Sequence, residues 1–91
     1  MLTDATIRAA KPKERPYKLA DGGGMYALVR PDGANYWRMD YRFHGKRRTL
    51  AFGVYPDISL ADAREKRRIA RKHLEDGIDP AHHRKVAKLA L

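Results

Sequence analysis

Ninety-one residues with 43% hydrophobic content suit one small domain, which buries a smaller share of its surface than a large protein and leaves no room for a second core. The absence of cysteine rules out a disulfide framework, a thiolate metal site and a cysteine nucleophile, and fits a reducing cytoplasm. A formal charge of +9 and a pI near 10.2 make a polyanion the first expected partner, while no apolar run approaches the roughly 18 residues of a membrane span and the N-terminus lacks the apolar core of a secretory signal.

In chain order, Thr3 is placed to cap a short helix over Asp4 to Ala10, which Lys11-Pro12 ends. The charged segment Lys11 to Pro16 reads as an irregular arm, and Tyr17 to Ala20 as a short strand. Asp21-Gly22-Gly23-Gly24 reads as a reversal rather than a phosphate cradle, because the strand-like Met25 to Arg30 follows it where a cradle needs a helix N-terminus. Pro31-Asp32-Gly33 and His44-Gly45-Lys46 are the next turns. They join three consecutive strands into an antiparallel meander, with Asn35 to Phe43 in the middle. Ser59 then caps a helix from Leu60 to about Asp76, Gly77 supplies a left-handed stop, and Pro80 opposes continuation. The expected fold class is therefore α+β: a small three-stranded antiparallel sheet, a C-terminal helix packed on one face, and a short N-terminal helix.

A period of two sends Trp37, Met39, Tyr41 and Phe43 to one face of the middle strand, and Tyr36, Arg38, Asp40, Arg42 and His44 to the other. Leu50 and Phe52 follow Trp37; Arg47, Thr49 and Ala51 follow Arg38. On the long helix, Leu60, Ala63, Arg67, Ala70 and Leu74 form the face expected to cover the rings. Arg67 is expected to lay its methylenes on the sheet and its guanidinium in water, and Arg64, Arg68, Arg71 and Lys72 read as a solvated basic flank. Residues 35–53 carry five basic side chains against one acidic, and 60–76 six against four, so the hairpin is the least balanced element. Its exposed face offers guanidinium forks for phosphate or guanine, a phenol and a hydroxyl, a set suited to a DNA major groove that admits a β-ribbon. Asp40, amid these arginines, serves either to orient Arg38 or Arg42 or to moderate their repulsion.

The blocks Leu2-Thr3-Asp4, Tyr17-Lys18-Leu19-Ala20-Asp21-Gly22-Gly23-Gly24-Met25-Tyr26, Tyr36-Trp37-Arg38, Gly45-Lys46-Arg47, Phe52-Gly53-Val54-Tyr55-Pro56, Ser59-Leu60-Ala61-Asp62-Ala63-Arg64 and Gly77-Ile78-Asp79-Pro80 occur in an order and spacing that resembles the N-terminal arm-type DNA-binding domain of phage and genomic-island integrases, of the tyrosine recombinase family. The resemblance implies a domain over residues 1–80 and, from 81 to 91, the start of a linker toward a core-binding domain. It turns Met25, Ala27 and Val29 inward and Tyr26, Leu28 and Arg30 toward DNA. The expected DNA-binding set is Tyr26, Arg30, Tyr36, Arg38, Arg42, His44, Lys46, Arg47 and Thr49. In such enzymes the N-terminal domain grips arm sites while another domain cuts through a tyrosine nucleophile.

No Arg-His-Arg-Tyr constellation assembles from this chain, so none of Tyr17, Tyr26, Tyr36, Tyr41 and Tyr55 is expected to be catalytic, and no enzyme activity is expected of it. No cofactor is expected, and no metal: His82-His83 offers too few ligands for zinc. The partners expected are double-stranded DNA and other integrase protomers. Two other classes stand beside this reading. An RNA-binding module needs exposed rings for stacking, and here most rings face inward; a protein-interaction or dimerisation domain predicts contacts insensitive to salt.

Overall fold

The computed structural model describes residues 1–81. The expected linker start that follows, with its His82-His83 pair, lies outside the described residues. The element order is α1 (Asp4–Ala9), β1 (Tyr17–Gly22), β2 (Met25–Val29), β3 (Asn35–Phe43), β4 (Lys46–Tyr55) and α2 (Leu60–Glu75). The strands form one antiparallel sheet in the order β1-β2-β3-β4. The sheet has four strands where three were expected, since β1 pairs with β2 from Tyr17↔Val29 to Ala20↔Tyr26. An edge strand buries half a pattern at most: Tyr17 and Leu19 are only partly covered, and Lys18 and Ala20 are exposed. Its sequence signal is correspondingly weak.

The two faces differ as the alternation requires. Trp37, Met25, Ala27, Val29 and Met39 are almost wholly buried, with Leu50 and Phe52 beside them, under Leu60, Ala63 and Ala70 of α2. Both helix caps form: Thr3 Oγ1 accepts from Thr6 N at 3.2 Å and Ser59 Oγ from Asp62 N at 3.1 Å. At the far end Gly77 adopts φ 75°, and Ile78 N donates back to the His73 carbonyl at 2.8 Å, closing the left-handed stop. Among the described residues, no helix is long and apolar enough to cross a membrane.

Two glycines allow close approaches that build the core. Opposite Trp37 the ladder is irregular: Trp37 pairs with Gly53 and Arg38 with Ala51, so Phe52 is the extra residue of a bulge. Gly53 has φ 124°, and a Cβ there would stand 2.6 Å from Ile58 Cγ1. That bareness lets the 55–59 turn fold back, so that the Trp37 indole donates to the Ile58 carbonyl at 2.7 Å and meets Tyr55 edge to face at 6.3 Å. At Gly24 a Cβ would collide with the Asp40 carbonyl; bare, the residue accepts from Asp40 N at 2.9 Å.

Arg67 corrects the expectation made for it. Its guanidinium does not reach into water but donates to Asp21 Oδ2 at 2.8 Å and to the Gly22 carbonyl at 2.9 Å. Asp21, with no side-chain exposure, also takes Arg64 Nε at 3.0 Å, Arg64 Nη2 at 2.8 Å and Leu2 N at 2.9 Å. One carboxylate thus ties the N-terminus, the glycine turn and α2 together. Despite its burial, the bonds from Arg64 and Leu2 hold it well below the usual carboxylate range, at about 2. Ile69 points away from the sheet and is exposed.

Candidate nucleic-acid interface

The face of the sheet turned away from α2 collects, by register, Lys18 from β1, Tyr26 and Leu28 from β2, Tyr36, Arg38, Asp40 and Arg42 from β3, and Arg47, Thr49 and Ala51 from β4. Tyr26 stands opposite Arg38, Asp40 opposite Thr49, and Arg42 opposite Arg47. Most of the expected set therefore shares one surface. Arg30 joins it from the end of β2: its guanidinium lies 5.5 Å from the Tyr36 ring centroid, and that of Arg38 lies 5.9 Å from the same ring. These contacts hold both arginines by the edge of the face.

Asp40 organises the centre. Its Oδ1 accepts from the Tyr26 hydroxyl at 3.1 Å and the Thr49 hydroxyl at 2.8 Å, and Lys18 Nζ stands 3.6 Å from Oδ2. Neither Arg38 nor Arg42 forms an ion pair with it, so it does not orient the arginines by direct pairing. Burial raises the carboxyl, but the two hydroxyl bonds and the nearby Lys18 and Arg47 charges outweigh it and keep Asp40 below its ordinary value. Tyr26 is 8% exposed although it sits on this face. The Lys18 ammonium lies 4.5 Å from its ring centroid, and burial with the Asp40 bond raises the phenol above its ordinary range. Tyr26 is thus a support for Asp40 more than an open ring.

His44 and Lys46 are not brought together with the others. The turn that joins β3 to β4 places His44 at φ 52° and Gly45 at φ 77°, the paired left-handed geometry of a tight hairpin. This takes His44 out of the strand alternation, and its ring packs edge-on against Phe43 with centroids 4.2 Å apart. Lys46 pairs with Phe43 and, with Arg48, lines a depression at the helix side of the sheet's end. There Arg48 lies 3.5 Å from Asp79, which also accepts the Tyr41 hydroxyl at 2.6 Å. Burial and that bond push the Tyr41 phenol up to about 12.

The two sides of the molecule handle cationic charge differently. On α2, Arg64 and Arg67 are engaged by Asp21, Arg68 by Glu65 at 2.6 Å, Lys72 by Asp76 at 3.3 Å, and Arg71 by the Gly23 carbonyl at 3.3 Å. Among the described residues, no carboxylate pairs with Arg30, Arg38, Arg42 or Arg47 on the sheet. Sequence reasoning missed Lys18 as a member of this face. The signal lay in the Tyr17/Leu19 alternation, which becomes readable only once β1 is paired.

The family model described as an arm DNA-binding domain matches residues 2–87. The chain is 45% identical over 87 residues to the integrase of Shigella phage Sf6, covering 96% of this chain and 23% of that protein. It is 49% identical over 84 residues to the integrase of Enterobacteria phage P4, with 90% and 19% covered. It is 38% identical over 89 residues to prophage integrase IntZ of Escherichia coli (strain K12), with 96% and 22% covered. The chain spans about a fifth of the length of these relatives. A match over nearly the whole chain, on a four-stranded sheet with an arginine-bearing open face, places it: the chain belongs to the arm DNA-binding domain family, among the phage and prophage integrases.

Proposed function

We propose that this domain recognises arm-type sites in duplex DNA by laying the open face of its sheet into the major groove, as the N-terminal part of a tyrosine-recombinase integrase acting in the bacterial cytoplasm. The observation that carries the reading is the segregation of charge. Of the six Lys and Arg side chains on α2, all but Lys66 are engaged by carboxylates or carbonyls of the same molecule, whereas Arg38, Arg42 and Arg47 stand on the sheet with no carboxylate partner among the described residues. A groove about 12 Å wide admits a β-ribbon, and guanidinium forks match guanine O6 and N7. Arg30 and the supports Tyr36, Tyr26 and Thr49 complete the surface; His44 and Lys46 lie off it at the hairpin's end and are left outside the groove contact. Other protomers bind neighbouring sites on the same DNA.

Single-stranded RNA fits this surface less well, because Tyr26 is covered and Tyr36 is flanked by two arginines, so the face offers no row of open rings for base stacking. Mobility-shift titration against tiled duplexes from an attachment region, with single-stranded RNA as competitor, tests the reading. One or a few tiles are expected to bind far more tightly than the rest and to resist the RNA. Equal binding of all tiles, or displacement by the RNA, contradicts it.

A further inference from the structure

The open face carries one acidic side chain among the basic ones, and its surroundings are those of a fixed acceptor. Asp40 lies between Arg38 and Arg42 on β3, and the three recur about every 7 Å along the strand, close to two base-pair steps of roughly 3.4 Å each. Oδ1 is saturated by the Tyr26 and Thr49 hydroxyls, at 3.1 and 2.8 Å. Oδ2 has the Lys18 ammonium at 3.6 Å, too long for a hydrogen bond, and the side chain keeps 29% of its exposure. The carboxylate is thus held by one oxygen while the other keeps accepting capacity toward the open face.

A carboxylate placed there repels phosphate, so it weakens any mode in which the sheet lies against the backbone. In the major groove the donors it meets are the exocyclic amino groups of cytosine and adenine, and carboxylates pair with cytosine N4. We propose that Asp40 is a specificity-determining residue that accepts a hydrogen bond from a cytosine 4-amino group, with Tyr26 and Thr49 as the positioning residues that aim it. This rests on the sheet-in-groove reading above. It adds a cytosine at the centre of the recognised sequence, flanked at about two-step intervals by the guanines that Arg38 and Arg42 suit.

The test is selection from a randomised duplex library by the 91-residue chain and by Asp40→Asn, which keeps an oxygen for Tyr26 and Thr49 but turns an amide NH2 donor, in place of the second carboxylate oxygen, toward the groove. Wild type is expected to enrich a cytosine at one position and Asp40→Asn to lose that preference in favour of a base that offers an acceptor there, guanine or thymine. A second arm needs no variant: in the selected duplex that cytosine is replaced by pyrimidin-2-one, which lacks the 4-amino group, and wild-type affinity is expected to fall about five- to hundredfold. Identical enrichment by the two proteins, or full affinity for the pyrimidin-2-one duplex, overturns the role of Asp40 and leaves groove binding standing. No enriched sequence with wild type overturns both.

Discussion

Arg64 grips Asp21 with two nitrogens, Nε to Oδ2 at 3.0 Å and Nη2 to Oδ1 at 2.8 Å, and its Nη2 also donates to the Leu2 carbonyl at 2.7 Å. The pair therefore staples α2 to both the N-terminal segment and the glycine turn. Removing the carboxylate leaves two guanidinium groups and the Leu2 amide without their shared acceptor. Because Arg64 and Arg67 keep 33% and 19% side-chain exposure, water recovers part of the loss. Asp21→Ala is expected to destabilise the fold by about 2 to 3 kcal/mol, below the range for a wholly buried pair. Urea denaturation measures it, and a loss under about 0.5 kcal/mol, the range of an ordinary surface change, would mean that the staple contributes nothing.

The same carboxylate sets the acid limit. Its folded value of about 2 lies below the ordinary 3.8, so the folded state favours the ionised form. The stabilisation is full above about pH 5, declines as the unfolded chain protonates near pH 4, and is gone once the pH falls through about 2. The span corresponds to roughly 2 kcal/mol. Thermal melts across this range are expected to show a steep decline for wild type and a shallower one for Asp21→Asn. Parallel curves would place the acid sensitivity elsewhere.

Charge segregation predicts an asymmetry between arginines of equal formal charge. Arg42→Ala and Arg38→Ala each are expected to weaken duplex binding by about 1 to 3 kcal/mol where the residue reads a base. Arg68→Ala, on a side chain held by Glu65, is expected to leave it nearly unchanged. With roughly four to six phosphates neutralised, log affinity falls with log salt at a slope of about −4 to −5. Equal effects of Arg42→Ala and Arg68→Ala in a salt titration would remove the basis for assigning the interface to the sheet.

Much of this was legible in the chain. The strict alternation from Tyr36 to Phe43 gave the middle strand and both its faces, because a half-buried strand writes its environment into every second residue. Ser59 and Gly77 marked the ends of α2 through local chemistry alone. What stayed hidden depends on partners distant in sequence. Nothing near Arg67 announces Asp21, nor does anything near Asp40 announce Tyr26 and Lys18, and β1, though readable as a short strand, carries too little buried surface to show that it joins the sheet. His44 was misread as continuing the alternation for a similar reason: its left-handed φ of 52° belongs to the turn and not to the strand.

The glycines at 24 and 45 separate two effects that sequence alone merges. Both have positive φ, 83° and 77°, but a Cβ on Gly45 meets nothing within 4 Å, whereas one on Gly24 collides with the Asp40 carbonyl. Gly45→Ala therefore meets only the backbone penalty of the left-handed region, about 1 to 2 kcal/mol. Gly24→Ala meets that penalty and must also push β3 away at Asp40, breaking the Asp40 N to Gly24 carbonyl bond of 2.9 Å. It is expected to lose clearly more stability than Gly45→Ala. Because the displaced residue is the one at the centre of the open face, it is also expected to weaken duplex binding under conditions where the variant remains folded. Denaturant titration and mobility shifts on the two variants side by side check both points, and a Gly24→Ala protein no less stable than Gly45→Ala would refute the close packing of the glycine turn against β3.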